Sequence, residues 1–354
     1  MHYANLQRKV DDALHDFMNE QINSVQDNHL LKYFYEQIND FLFSGGKRIR
    51  PVLMALCYQS IKSAAVDKGI LSASLSLELL HNASLIHDDI MDNAETRRGR
   101  KAFHHVLQDY AENNSSSNIQ NDNNYGISMG ILGGDFAYNL AYKAINTKDF
   151  PPAVTLRAAI EFNEGFLHIV QGVIVETDLM QKLDVTETQY LSMITGKTAA
   201  LFEKAARLGA IFAGGTESQI DGLGKYALDA GIAFQIVDDI IGTFGDSRIT
   251  GKPTNSDIKE GKKTLLLIKA IENANDDQFQ IISKVVGNRQ ATDQEIDEVR
   301  TIFKETGSLD FANKKAEELF NNCISYLENL DPMIEEKFKK YLIEIAKMGI
   351  NREK

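Results

Sequence analysis

Apolar residues recur three and four positions apart through nearly the whole chain, strict alternation is almost absent, and only five prolines punctuate 354 residues. A period of 3.6 lines such residues along one stripe of a helix, whereas a half-buried strand needs a period of two. The chain therefore reads as all-α. Helices are expected over roughly 5–23, 28–43, 48–62, 67–92, 127–147, 151–178, 186–213, 220–245, 263–273, 278–286, 292–305 and 308–349, which leaves no segment for a sheet. The stretch DYAENNSSSNIQNDNNYG, 109–126, carries too little apolar surface to repay ordering and is expected to be a flexible polar loop. The suggestive motifs fall on both sides of it and read as parts of one site, so residues 1–354 are read as a single domain.

Charge narrows the function. Fifty acidic residues against 38 basic ones give a net charge of −12, the wrong sign for a general nucleic-acid binder. Cys57 and Cys323 lie far apart with no metal-ligand or disulfide spacing, which favours a reducing compartment. No run approaches 18 uninterrupted apolar residues, and MHYANLQRKVDDALHDF is polar and amphipathic rather than signal-like. The expectation is a cytoplasmic protein without a transmembrane segment.

Chemistry concentrates in two acidic stretches. In SLIHDDIMD, Asp88 and Asp92 stand one helical turn apart on one face, with Asp89 rotated by about 100°. Like charges stacked this way cost stability unless a cation sits between them. An acidic helix end facing water is the ordinary explanation. Here Leu79, Leu80, Ala83, Leu85 and Ile86 make the same helix apolar enough to be central, so its acids should line a cavity. In GIAFQIVDDIIGTFGD, Asp238 and Asp239 follow Ile232, Ala233, Phe234, Ile236 and Val237 in the same manner. Carboxylates are hard oxygen ligands, and Mg²⁺ is commonly held by a few of them together with phosphate oxygens and water. The acids carry more charge than one ion needs, which points to metals holding a diphosphate. Matching cations occur in FSGGKRIRP, ETRRG, TGKT, GKP and GKKT; each alone is an ordinary surface charge, and their joint occurrence with two acid pairs is not.

Through GGKRIRP, ELLHNASLIHDDIMDNAETRRG, the Gly134-Asp135 pair, TGKTAALF, FQIVDDIIG and GKPTNSDIKEGKKT, the sequence resembles the trans-isoprenyl diphosphate synthases of the polyprenyl synthetase family over roughly residues 40–270. The resemblance implies a single large helical bundle around a central cavity, of isoprenoid synthase type, usually as a homodimer. It implies that Asp88, Asp92 and Asp238 ligate three Mg²⁺ on an allylic diphosphate (dimethylallyl, geranyl or farnesyl), with Asp89 and Asp239 as nearby acids. Arg97, Lys197, Lys252 and Lys262 would hold that diphosphate, with Thr198 and Gln235 near the allylic group. Lys47, Arg50, His81 and Arg98 would hold isopentenyl diphosphate, with Gly46 allowing close backbone approach. His81 alone is a residue type more often buried and satisfied; the motif gives it this role. His87, His104 and His105 receive none.

The implied reaction is ionisation of the allylic diphosphate, attack by the double bond of isopentenyl diphosphate and loss of a proton, each cycle adding five carbons. Two departures from the family pattern stand out: Gly242 replaces the common third Asp of the second motif, and IVQGVIVETD has Val173 and Glu176 where many relatives carry Gln and Asp. Ala83 and Ser84, at the expected floor of the growing-chain tunnel, are small, so growth should pass them toward Leu80 and Leu79 and be closed lower down by side chains such as Phe136, Tyr138 or Phe166. The favoured product is geranylgeranyl diphosphate. Longer polyprenyl diphosphates are the alternative, followed by a non-catalytic regulatory subunit; a terpene cyclase would not need GGKRIRP.

Overall fold

A computed structural model describes residues 2–114, 124–182, 184–245 and 255–350. The helices, numbered in chain order, are α1 His2–Asn23, α2 His29–Leu42, α3 Ile49–Lys62, α4 Lys68–Met91, α5 Phe103–Asn114, α6 Tyr125–Ile145, α7 Pro152–Leu179, α8 Glu187–Ile194, α9 Ala200–Ala213, α10 Glu217–Phe244, α11 Ser256–Glu260, α12 Leu265–Asn273, α13 Asp276–Val285, α14 Asp293–Glu305, α15 Ser308–Glu328 and α16 Glu336–Ile350. The all-α reading holds. Among the described residues the only ladder is the two-residue pair β1 Thr96–Arg97 and β2 Arg100–Lys101.

Internal contacts divide the chain into two compact units: residues 1–162 with 211–214, and residues 163–210 with 215–354. In the first, α4 is the central helix and packs on α6, α3 and α1. Its side chains from Gly69 to Asp89 are buried on most sides, which explains why it is long and apolar enough to cross a membrane while 72% of the relevant window is covered by protein. In the second unit α10 plays that part, packing on α15, α16 and α11.

Local chemistry sets the ends. The Asp67 side chain accepts from Ile70 N and starts α4, while Thr216 and Gln219 form a reciprocal capping box that starts α10 at Glu217, ahead of the expected 220. The expected helix over 308–349 is two helices, because Pro332 has no amide hydrogen and disfavours helical backbone at Asp331. The polar segment 109–126 is shorter than expected: α5 runs on to Asn114 and α6 begins at Tyr125, and residues 115–123 lie outside the described residues. Buried Phe103, His104 and Leu107 anchor α5, an amphipathic stripe too short to stand out beside the Asn-rich run.

Candidate active site

In the first unit, Asp88 and Asp92 occupy successive turns: the Asp92 amide donates to the Asp88 carbonyl at 2.8 Å and closes α4. Asp88 is half-buried and Asp92 exposed, whereas Asp89 is fully buried. The Asp89 Oδ1 accepts from Arg97 Nε at 2.7 Å and also from Nη2. Burial pushes the Asp89 carboxyl up and Arg97 works against it. The three acids thus have two environments. Two are accessible and one is spent on holding the β1–β2 hairpin.

Gly45 and Gly46 have φ of 131° and 129°, a region open only to glycine, and a Cβ at 46 would press on the Arg48 and Arg98 guanidinium groups. Arg48, which the sequence left without a role, is the anchor: it donates to Glu78 at 2.7 Å, Asp11 at 2.9 Å and the Leu42 carbonyl at 2.8 Å. Removing one member of a buried pair such as Arg48–Glu78 costs about 3–5 kcal/mol. Arg98 donates to the Gly45 carbonyl at 2.7 Å, and Tyr3 donates to the Lys47 carbonyl. Near them burial and Arg98 bring Arg50 down to about 10. His81 is lowered well below its ordinary value by burial and by Arg50, Arg98, Arg97 and Arg48. Arg50 and Arg98 therefore form a cationic pair whose mutual repulsion an anion would relieve, with His81 beside them as a neutral hydrogen-bonding group.

His87 was missed. Its Nε2 lies 3.0 Å from the Ile131 carbonyl on α6, and because a carbonyl only accepts, Nε2 carries the hydrogen. The ring occupies the space a Cβ at Gly134 would need, so the Gly134-Asp135 motif is a notch that docks α6 on the residue before Asp88. The signal was present as an unassigned histidine and an unassigned glycine, joined only in three dimensions.

In the second unit TGKTA is a π-turn, Thr195–Ala199, between α8 and α9, an irregularity frequent at functional sites. Backbones approach closely here: a Cβ at Gly172 would overlap Lys197 N, and one at Gly196 would lie 2.9 Å from the His168 carbonyl. Lys197 Nζ meets Glu176 Oε2 at 2.5 Å, so Glu176, a departure from the family pattern, keeps an acidic contact. Thr198 donates to Gln235 at 2.8 Å, Gln235 donates to Asp239 Oδ1 at 2.8 Å, and Tyr190 donates to Asp239 Oδ2 at 2.7 Å. Burial, followed by Asp257, pushes Asp239 up to about 7. Asp238 beside it is half-buried. Lys262 lies 3.0 Å from Asp257 and 3.3 Å from Glu260; burial lowers its affinity for a proton, yet the two acids outweigh this and hold it up. Lys252 lies outside the described residues.

Each acidic motif is thus split alike: the second Asp is buried and hydrogen-bonded, and the first is accessible. Among the described residues no three His, Cys, Asp or Glu side chains converge into a ready-made ion cage. One or two carboxylates with room for substrate oxygens is the donor set that suits Mg²⁺.

The family model for polyprenyl synthetase matches residues 31–303. The chain belongs to the polyprenyl synthetase family. It is a prenyltransferase. Across 343 residues it is 33% identical to a geranylgeranyl diphosphate synthase of Sulfolobus acidocaldarius, covering 94% of this chain and 97% of that one. A second, from Saccharolobus solfataricus, is 33% identical over 97% of this chain and 99% of its own. Among solved structures, the geranylgeranyl pyrophosphate synthase of Corynebacterium glutamicum complexed with isoprenyl diphosphate and magnesium is similar with a TM-score of 0.90, 28% identity and coverage of 98% and 99%.

Proposed function

We propose that the protein condenses isopentenyl diphosphate with an allylic diphosphate in a Mg²⁺-dependent, chain-elongating reaction, with geranylgeranyl diphosphate as its main product. The observation that supports this best is the matching division of the two acidic motifs, in which Arg97, Tyr190 and Gln235 fix the buried Asp89 and Asp239, while Asp88 and Asp238 are half-buried and Asp92 is exposed, within reach of a metal. Three Mg²⁺ bound there would draw charge onto the leaving diphosphate.

The rest falls to the protein's own side chains. Lys197 and Lys262, both near acids, exchange carboxylate partners for diphosphate oxygens; Lys252 and Arg97 are assigned to the same group. Arg50, Arg98 and Lys47 bind isopentenyl diphosphate, whose charge relieves the repulsion between these cations, with His81 as a neutral hydrogen-bonding group and Gly46 admitting the ligand to the backbone. Thr198 and Gln235, tied to each other and to Asp239, present fixed dipoles to the allylic group as it ionises. The departing diphosphate takes the proton lost after condensation, so no protein nucleophile is required. Incubation with labelled isopentenyl diphosphate, Mg²⁺ and each of dimethylallyl, geranyl and farnesyl diphosphate, followed by chromatography, tests the reading. No elongated product with any starter overturns it in favour of a silent regulatory subunit.

The partition of cations has its own test. Lys47→Ala is expected to raise KM for isopentenyl diphosphate by about tenfold or more and to leave that of the allylic substrate within about twofold, with Lys197→Ala doing the reverse. Equal effects of both variants on both substrates would reject the assignment.

A homodimer is also proposed. Leu156, Ile160, Leu167, Val170 and Ile174 are exposed along α7, and Ile127, Ile131 and Tyr142 along α6. The α7 spacing of four, seven, three and four residues is that of a seam between helices, and a second copy presents the same seam. Sedimentation should give twice the chain mass, and Ile160→Asp should give the monomer; a wild-type monomer at micromolar concentration rejects the dimer. The cytoplasm is the proposed compartment, with Cys57 and Cys323 both free and buried.

A further inference from the structure

The turn that carries Lys47 is held from outside itself. Gly45, Gly46 and Arg48 have φ of 131°, 129° and 54°, a backbone that no helix or strand uses and that is costly for Arg48, which has a side chain. The helix that follows cannot bond Lys47. In helical order the Lys47 carbonyl would accept from position 51, and Pro51 has no amide hydrogen. The Tyr3 hydroxyl donates to that carbonyl instead. Burial, Glu78 and Asp11 raise the phenol above its ordinary value against the pull of Arg48, so it keeps the hydrogen it donates.

Tyr3 is one of three contacts that α1 makes with this stretch. Arg48 donates to Asp11 at 2.9 Å, and the His15 ring stacks on Phe43 with centroids 3.8 Å apart and planes 11° from parallel. Their spacings of eight and four residues place Tyr3, Asp11 and His15 on one side of α1. The first turn of α1 is also tied to α3, where His2 Nε2 lies 3.1 Å from Gln59 Oε1. The ordinary explanation is that these contacts dock a helix. Asp11 and His15 fit it, one as the partner of a buried arginine and the other as cover for an apolar ring. Tyr3 does more, because it bonds the backbone of the residue whose exposed side chain is assigned to isopentenyl diphosphate. A lysine that starts from a fixed backbone loses less freedom when it binds.

We propose that Tyr3 is a positioning residue for the isopentenyl diphosphate site: α1 holds the 43–48 turn, and the Tyr3 hydroxyl sets the Lys47 backbone from which the ammonium reaches the diphosphate. The proposal rests on the assignment of Lys47 above.

The test is steady-state kinetics of the full chain with Mg²⁺, varying each substrate in turn. Tyr3→Phe removes one oxygen and keeps the ring; it should raise KM for isopentenyl diphosphate by about fivefold, leave KM for the allylic substrate within about twofold and barely move the melting temperature. The double variant decides between positioning and docking. Lys47→Ala deletes the ammonium and keeps the carbonyl, so adding Tyr3→Phe to it should change KM for isopentenyl diphosphate by less than about 1.5-fold. Arg8→Ala, also on α1 but bonded to Asn5 of the same helix at 3.2 Å, should behave as wild type. A docking role alone predicts that Tyr3→Phe shifts both KM values together, by the same factor with or without Lys47, and lowers the melting temperature; that result overturns the proposal. If Lys47→Ala raises KM for isopentenyl diphosphate and Tyr3→Phe does not, only the role of Tyr3 is rejected. If Lys47→Ala leaves it unchanged, the assignment of the turn falls and this proposal with it.

Discussion

Asp88→Ala and Asp238→Ala are each expected to lower turnover at saturating Mg²⁺ by at least about a hundredfold, or about 2.7 kcal/mol of transition-state stabilisation. Their folds should survive. Asp88 and Asp238 are only half-buried, so water can reach the space an alanine opens there. Asp89 is different: it is fully buried on two guanidinium hydrogen bonds, and Asp89→Ala strands Arg97 and should lower the melting temperature as well as activity. Circular dichroism and steady-state rates on the three variants separate a ligand from a structural acid. Near-normal turnover of folded Asp88→Ala or Asp238→Ala would remove that residue from the metal site.

The all-α architecture was legible because apolar periodicity is a local property, repeated in most of the helices; the short α5 and the five-residue α11 carry too little of it to be read. What was not legible is what two distant stretches do to each other. FSGGKRIRP announced a glycine-permitted turn, yet nothing local showed that Arg48 would turn inward to Glu78 and Asp11 while Arg50 stayed with the cations. Three arginine and lysine residues in four positions look alike until a partner 30 residues away selects one of them. The same holds for Tyr190, an unremarked aromatic in QYLSM that fixes Asp239. Gly134, Gly172 and Gly242 were visible as glycines, but their reason is a neighbour's volume: the His87 ring, the Lys197 backbone and the Asp257 carboxylate. The helix break at Pro332 and the capping box at Thr216 were readable and were overridden by the strength of the apolar pattern around them.

The family resemblance places the floor of the growing-chain tunnel at Ala83 and Ser84 of α4, and the structure separates these two residues that the sequence treated together. Ala83 is 3% exposed and packed in the interior of its unit, whereas Ser84 is half-buried, with its hydroxyl donating to the Leu80 carbonyl at 2.9 Å. A phenylalanine at 83 must displace well-packed neighbours, which typically costs about 1–3 kcal/mol. At 84 it has room. Both variants are expected to stop chain growth early, with farnesyl diphosphate replacing geranylgeranyl diphosphate as the main product. Ser84→Phe should do so with near-normal stability and with the first condensation within about tenfold of wild type, because it leaves the acids and cations in place. Ala83→Phe should also melt earlier. Chromatography of products from folded Ser84→Phe decides the matter: a shortened product with a retained first step means that this face of α4 limits the growing chain. An unchanged longest product would assign Ala83 and Ser84 to packing and move the limit to other helices.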